Sequence, residues 1–136
     1  MISQQKTSRT LHIALWIVQA LLAILFIGTG VFKLVTPIAT LAGMWPWAGD
    51  YPTLVRLTGI FDLCGGIGII LPALTRIKPG LTVLAALGCA ALMLSAIAFH
   101  LSRGEAANTP FNVVMLALAG FVFWGRRTKV PINSRE

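Results

Sequence analysis

Four long apolar stretches, each closed by a short polar or turn-forming segment, set the pattern of this chain. They cover residues 11–32, 54–74, 81–101 and 110–125. The first three hold about 21–22 residues each, or roughly 33 Å of α-helix at 1.5 Å per residue, enough to cross a bilayer. The fourth has about 15 apolar residues and is marginal by that standard. It spans if Arg126 and Arg127 snorkel, or if the bilayer thins around it. The pattern predicts an all-α membrane protein, a four-transmembrane-helix bundle. Residues 11–127 form the membrane domain, between a tail over 1–10 and another over 128–136. The stretches before Thr10 and after Lys129 read as disordered. The first run is too long for the apolar part of a signal peptide and lacks a small-residue cleavage site, so it reads as a retained anchor.

Turn chemistry supports this division. Pro72 and Pro79 bracket a tight hairpin between the second and third runs, and Gly104 and Pro110 bracket the connection to the fourth. The connection over 35–52 is longest and unusually apolar, with Pro37, Pro46, Pro52, Trp45 and Trp47. Such a segment folds back over the bundle mouth as a lid or lies in the interface as a short helix. Its tryptophans can equally form an aromatic belt without touching a ligand.

Composition agrees: 57% of residues are hydrophobic and 11% charged. The formal charge of +7 does not point to nucleic acid, because the basic residues cluster at the ends of apolar runs and form no stripe. They are topology signals. With four spans both termini share one side, together with Lys6, Arg9, Arg76, Lys78, Arg126, Arg127, Lys129 and Arg135. The positive-inside rule puts both termini in the cytoplasm. The expected location is a bacterial inner (cytoplasmic) membrane, crossed several times. Cys64 and Cys89 sit in different runs without metal spacing, so no metal site is expected.

Asp62 breaks the second run about eight residues in. A carboxylate near mid-bilayer costs roughly 2.5–3.5 kcal/mol, so a partner or a task must compensate. Gly59, Gly65 and Gly66 lie three or four positions away, on its helix face, which marks a close interhelical seam. Gly28 and Gly30 allow the first helix to approach it. Arg56, six positions away, and Lys33, at the end of the first run, are equally good partners. His100, Arg103, Glu105, Asn108 and Asn112 fall in the same half of the membrane. The cluster is either an ion-pair lock that fixes helix register or a polar pocket facing a ligand. Gln19 lies in the other half and reads as a simple cross-helix hydrogen bonder.

These residues carry a resemblance. The stretch "YPTLVRLTGIFDLCGGIGIILPALTRIKPGLTVLAALGCAALMLSAIAFHLSRGE", with "GTGVFKL" at 28–34, the "MWPW" loop, and Asn112 with Gly125–Arg126, resembles the DoxX-like family of small integral membrane proteins. The resemblance implies a four-helix bundle and singles out Lys33, Arg56, Asp62, His100 and Glu105. Members of the wider group are linked to quinone-coupled sulfur oxidation, to oxidative-stress complexes and to assembly of other membrane proteins.

Three functions follow. The chain reads as a scaffold or partner subunit, or as a binder of a small lipophilic ligand in a pocket lined by Asp62, Arg56, Lys33, His100, Glu105 and Asn112 and lidded by Trp45 and Trp47. Alternatively it is a membrane subunit of a quinone-linked oxidoreductase, in which Arg56 or Lys33 holds a carbonyl while Asp62 and His100 pass protons. Nothing in the sequence supplies electrons, so that role needs a partner or a diffusible reductant. The expected partners are the lipid bilayer and other membrane subunits or copies of the same chain.

Overall fold

The structure, a computed structural model, describes the backbone of residues 2–135 and side chains from Ser8 onward. It is all-helical among the described residues. The helices are α1 (Ile2–Val35), α2 (Ile38–Met44), α3 (Pro46–Asp50), α4 (Pro52–Thr75), α5 (Gly80–Ser102) and α6 (Pro110–Trp124). A 3₁₀ turn (Ala106–Asn108) precedes α6, and a π-helical turn (Gly125–Lys129) prolongs it. Proline sets the starts. Pro46, Pro52 and Pro110 each occupy the first turn of a helix, where the missing N–H costs nothing.

Three segments, Ser8–Val35, Pro52–Thr75 and Gly80–Ser102, are long and apolar enough to cross a membrane. Their outward faces carry large apolar side chains. Ile24 is 70% exposed, and Ile17, Leu74 and Leu84 are each 62% exposed. A water-soluble surface does not tolerate apolar area on that scale. The chain is a membrane protein.

α4 packs extensively against α1 on one side and α5 on the other, and α5 packs against α6. Glycines make both α4 seams possible. A Cβ on Gly30 would stand 2.7 Å from the Gly59 carbonyl oxygen, and one on Gly66 would stand 2.9 Å from the Ile27 nitrogen. On the opposite side, Gly65 and Gly68 lie against Cys89 Sγ and Ala85 Cβ of α5. Gly28 faces open space and has no part in the α1/α4 seam, contrary to the sequence reading. Cys64 is exposed and Cys89 buried, and both are free thiols.

Both tails differ from expectation. Residues 2–10 continue α1, since neither proline nor glycine interrupts the chain before Gly28 and Gln4, Gln5 and Lys6 are good helix formers. The C-terminal segment is extended and pinned. Arg135 N–H donates to the Arg76 carbonyl at 2.9 Å, and Arg76 Nε donates to the Asn133 carbonyl at 2.9 Å. Arg76 itself closes α4 in the left-handed region, with φ of 58°.

The bundle therefore has a terminal end, where α1 begins and α6 finishes, and a far end. α2 and α3 fold over the far end. Leu41, Trp47, Ala48 and Val55 form a small second core there, which makes the 35–52 connection a packed cap.

Candidate functional site

The polar residues of the far end are placed by local backbone events. The close approach of Gly30 to Gly59 lays the Lys33 stem against α4, 2.9 Å from where a Gly59 Cβ would stand. The ammonium then reaches along α4. Lys33 Nζ lies 3.4 Å from Thr58 Oγ1 and 2.8 Å from Asp62 Oδ2. Asp62 is 2% exposed. Arg56 turns away from Asp62 and donates to the carbonyls of Lys33 and Thr36 at 2.6 and 2.8 Å. These belong to the C-terminal turn of α1 and the residue after it, where carbonyls lack intrahelical donors and a cation is favoured.

A second group arises at the end of α5. Gly104, with φ of +73°, closes a Schellman motif: its N–H donates to the Leu101 carbonyl, and Glu105 N–H donates to the His100 carbonyl at 2.8 Å. That turn brings Glu105 back over the last helical turn. His100 Nδ1 lies 3.1 Å from Glu105 Oε1. Arg103 donates to Glu105 Oε1 at 3.1 Å and to Asp50 Oδ2, at the end of α3, at 2.7 Å. The hydrogen bond from His100, and after it those from Arg103, hold the Glu105 carboxyl below the usual carboxylate range. The Asp50 hydrogen bond raises Arg103. With Glu105 ionised, the contact requires His100 Nδ1 to donate, and Nε2 is left without a partner among the described residues.

The cap covers these groups. Trp47 meets His100 and Phe99 edge-on, with ring centroids 6.0 and 5.6 Å apart. Lys33 Nζ sits 6.0 Å from the Trp47 ring centre, and Trp45 stacks on Trp47 at 6.3 Å. Beneath them are two adjoining cavities of about 340 and 280 Å³. Lys33, Trp47, Asp62, Met93, His100 and Asn112 line both, while Trp45 borders the larger one. Arg56 and Glu105 do not line them. Asn112 is 9% exposed, and its amide has no hydrogen-bond partner among the described residues. Thr29 and Thr58, which sequence reasoning passed over, also line the cavities. Their only sequence signal is being polar one turn from Lys33 and Asp62.

Sequence reasoning also missed a polar cluster at the terminal end. Arg126 does not snorkel outward; it is 2% exposed. Its Nε donates to Gln19 Oε1 at 2.7 Å and its Nη1 to His12 Nδ1 at 2.8 Å. Gln19 in turn donates to the Ile69 carbonyl at 2.9 Å, so one amide ties α1 to α4 and to the end of α6. Arg126 also lies over the Trp16 ring at 5.4 Å. This cluster borders neither far-end cavity.

No curated protein and no solved structure matches the chain at a significant level. The profile of the DoxX-like family matches residues 17–122. That stretch runs from the first half of α1 through the cap to the last turns of α6, and it includes every residue lining the two cavities. The chain belongs to the DoxX-like family.

Proposed function

We propose that this protein holds a small lipophilic molecule in the polar-walled cavity beneath the Trp45–Trp47 cap, and that it is a binder rather than a catalyst. The observation that carries the reading is Asn112. Its amide has no hydrogen-bond partner among the described residues and borders a cavity of about 340 Å³, so it offers a donor and an acceptor to whatever fills that space. Ligand pockets are largely apolar with a few converging polar groups. Phe26, Met93, Phe111 and Met115 with Lys33, Asp62, His100 and Asn112 fit that description. The Lys33–Asp62 contact serves as an ion-pair lock that holds α1 on α4 and keeps the cavity wall in register.

The topology belongs to the same proposal. α6 with its π-helical turn forms a fourth span, the basic terminal end faces the cytoplasm, and the cavity lies in the non-cytoplasmic half of a bacterial inner membrane. The asymmetry of charge supports this. Arg76, Lys78, Arg126, Arg127 and Lys129 gather at one end, against Lys33, Arg56 and Arg103 at the other.

A second reading, a membrane subunit of a quinone-linked redox complex, is favoured by one observation. The His100–Glu105 contact at 3.1 Å connects the cavity wall to the bundle rim, as a proton exit requires. A structure determined in lipid nanodiscs tests the first reading. Density between Asn112 and His100 is expected, whereas a closed, empty seam with Phe111 and Met115 packed onto Phe26 would sink it.

A further inference from the structure

The two cavities open in different directions. The larger is bordered by Leu25, Phe26 and Thr29 of α1 and by Phe111, Asn112 and Met115 of α6. The smaller is bordered by Leu54 and Thr58 of α4 and by Leu92, Ser95 and Phe99 of α5. They share the polar wall, so the space crosses the bundle beneath the cap. α1 and α6 pack together far less than α1 and α4 do. They meet at the terminal end, where Gly125 lies against Leu15 and Arg126 reaches Gln19. At the far end their seam is parted by the larger cavity, and Phe111 at its edge is 53% exposed on the membrane-facing surface.

The wall has hydrogen-bonding capacity but no spare charge. Lys33 faces Asp62 at 2.8 Å, and Arg103 faces both Asp50 and Glu105. Arg56 is committed to α1 carbonyls. Every acid at this end thus has a cation in contact. A carboxylate or phosphate head would add an unmatched negative charge beside Asp62, and an ammonium head would meet Lys33. In a site of low dielectric either one is strongly disfavoured. What stays open includes the Asn112 amide, which donates and accepts, and His100 Nε2, with Thr29 and Asn108 bordering the same cavity.

We propose that the site selects an uncharged lipophile with a hydroxyl-type polar head. The head exchanges hydrogen bonds with Asn112 and His100, and the tail leaves sideways through the α1/α6 seam into the bilayer. This rests on the binder reading above and adds the charge of the head and the route of the tail. A hydroxyl matches the pair because a single oxygen both donates and accepts, as exchange with the Asn112 amide and with His100 Nε2 requires.

The test uses the full chain in nanodiscs of neutral lipid, titrated calorimetrically with 1-decanol, decanoate and decylammonium. The pH is mildly alkaline, where the acid is ionised and the amine protonated. Asn112→Leu in identical discs corrects for partition into lipid. Saturable decanol binding is expected, weakened about tenfold or more by Asn112→Leu, with both charged probes at least about tenfold weaker than decanol. Thr29→Trp, which fills the seam, is expected to abolish decanol binding with the fold intact by circular dichroism. It also replaces Asn112→Leu as the control should that variant not fold. Decanoate or decylammonium binding as tightly as decanol overturns the neutral-head proposal and leaves the binder reading standing. Unchanged decanol binding in a folded Thr29→Trp variant overturns the lateral route. Failure of all three probes to show saturable binding overturns the binder reading itself.

Discussion

Asp62 shows what a single residue can and cannot disclose. Its position inside an apolar run announces a compensating partner, and its glycine neighbours announce a seam. The sequence left Lys33 and Arg56 open as partners, because the answer depends on how closely two helices approach. Gly30 against Gly59 brings the Lys33 stem onto α4, and Arg56 is drawn instead to the free carbonyls of α1. Breaking a buried pair from one side is costlier than removing both charges. Lys33→Met is therefore expected to destabilise the protein by about 3–5 kcal/mol, and Lys33→Met with Asp62→Leu to recover most of that. Unfolding by denaturing detergent measures both; equal losses in the single and double variants would contradict the pairing.

The pH dependence at this scale belongs to Glu105. Its carboxyl is held low in the folded state by His100 and Arg103. The unfolded value is about 4.3. The contribution of these contacts is present in full above that value and is lost as pH falls through the lower folded pKa. Trp47 lies over His100, so its fluorescence should show an acid step below about pH 4 as Glu105 gains its proton. Glu105→Gln should remove that acid step and leave any change from Asp50 or His100. A transition of equal size in both proteins would show that Glu105 is not responsible.

Among the elements, the lengths of the apolar runs and the proline-marked starts of α4 and α6 were legible, because both follow from local chemistry. The start of α1 was not, since the polar segment before Thr10 is equally compatible with a tail and with a helix that extends past the apolar run. For the 35–52 segment the sequence left a fold back over the bundle and a short interfacial helix both open, because its two short helices depend on packing of Leu41 and Trp47 against Val55. Glycine spacing needed correction at one place. Gly66 and Gly28 look alike in sequence, yet a Cβ at Gly66 would strike α1 backbone while one at Gly28 meets nothing within 4 Å. Gly66→Ala should destabilise by about 1–3 kcal/mol through overpacking, and Gly28→Ala should be neutral or stabilising by up to about 1 kcal/mol. Thermal unfolding of the purified variants checks the order. The reverse order would mean that the α1/α4 seam lies elsewhere.

At the scale of the molecule, the two ends differ in kind. The terminal end is shut by Arg126, Gln19 and His12, and the far end is held apart around a polar-walled space. Charge placement along the chain made the asymmetry legible but misjudged Arg126, whose burial is created by residues more than a hundred positions away. The far-end residues were legible as a cluster. That Asn112 faces the space without a partner, while Arg56 and Glu105 stand outside it, depends on three-dimensional placement that no spacing rule encodes.

The most direct measurement is mass spectrometry of organic extracts from the purified wild-type chain and from Asn112→Leu, both isolated from the same native membranes. One lipophilic species is expected, near equimolar with the wild-type protein and at least about tenfold depleted in the folded variant. Identical extracts from the two proteins, with nothing enriched over bulk membrane lipid, would contradict it.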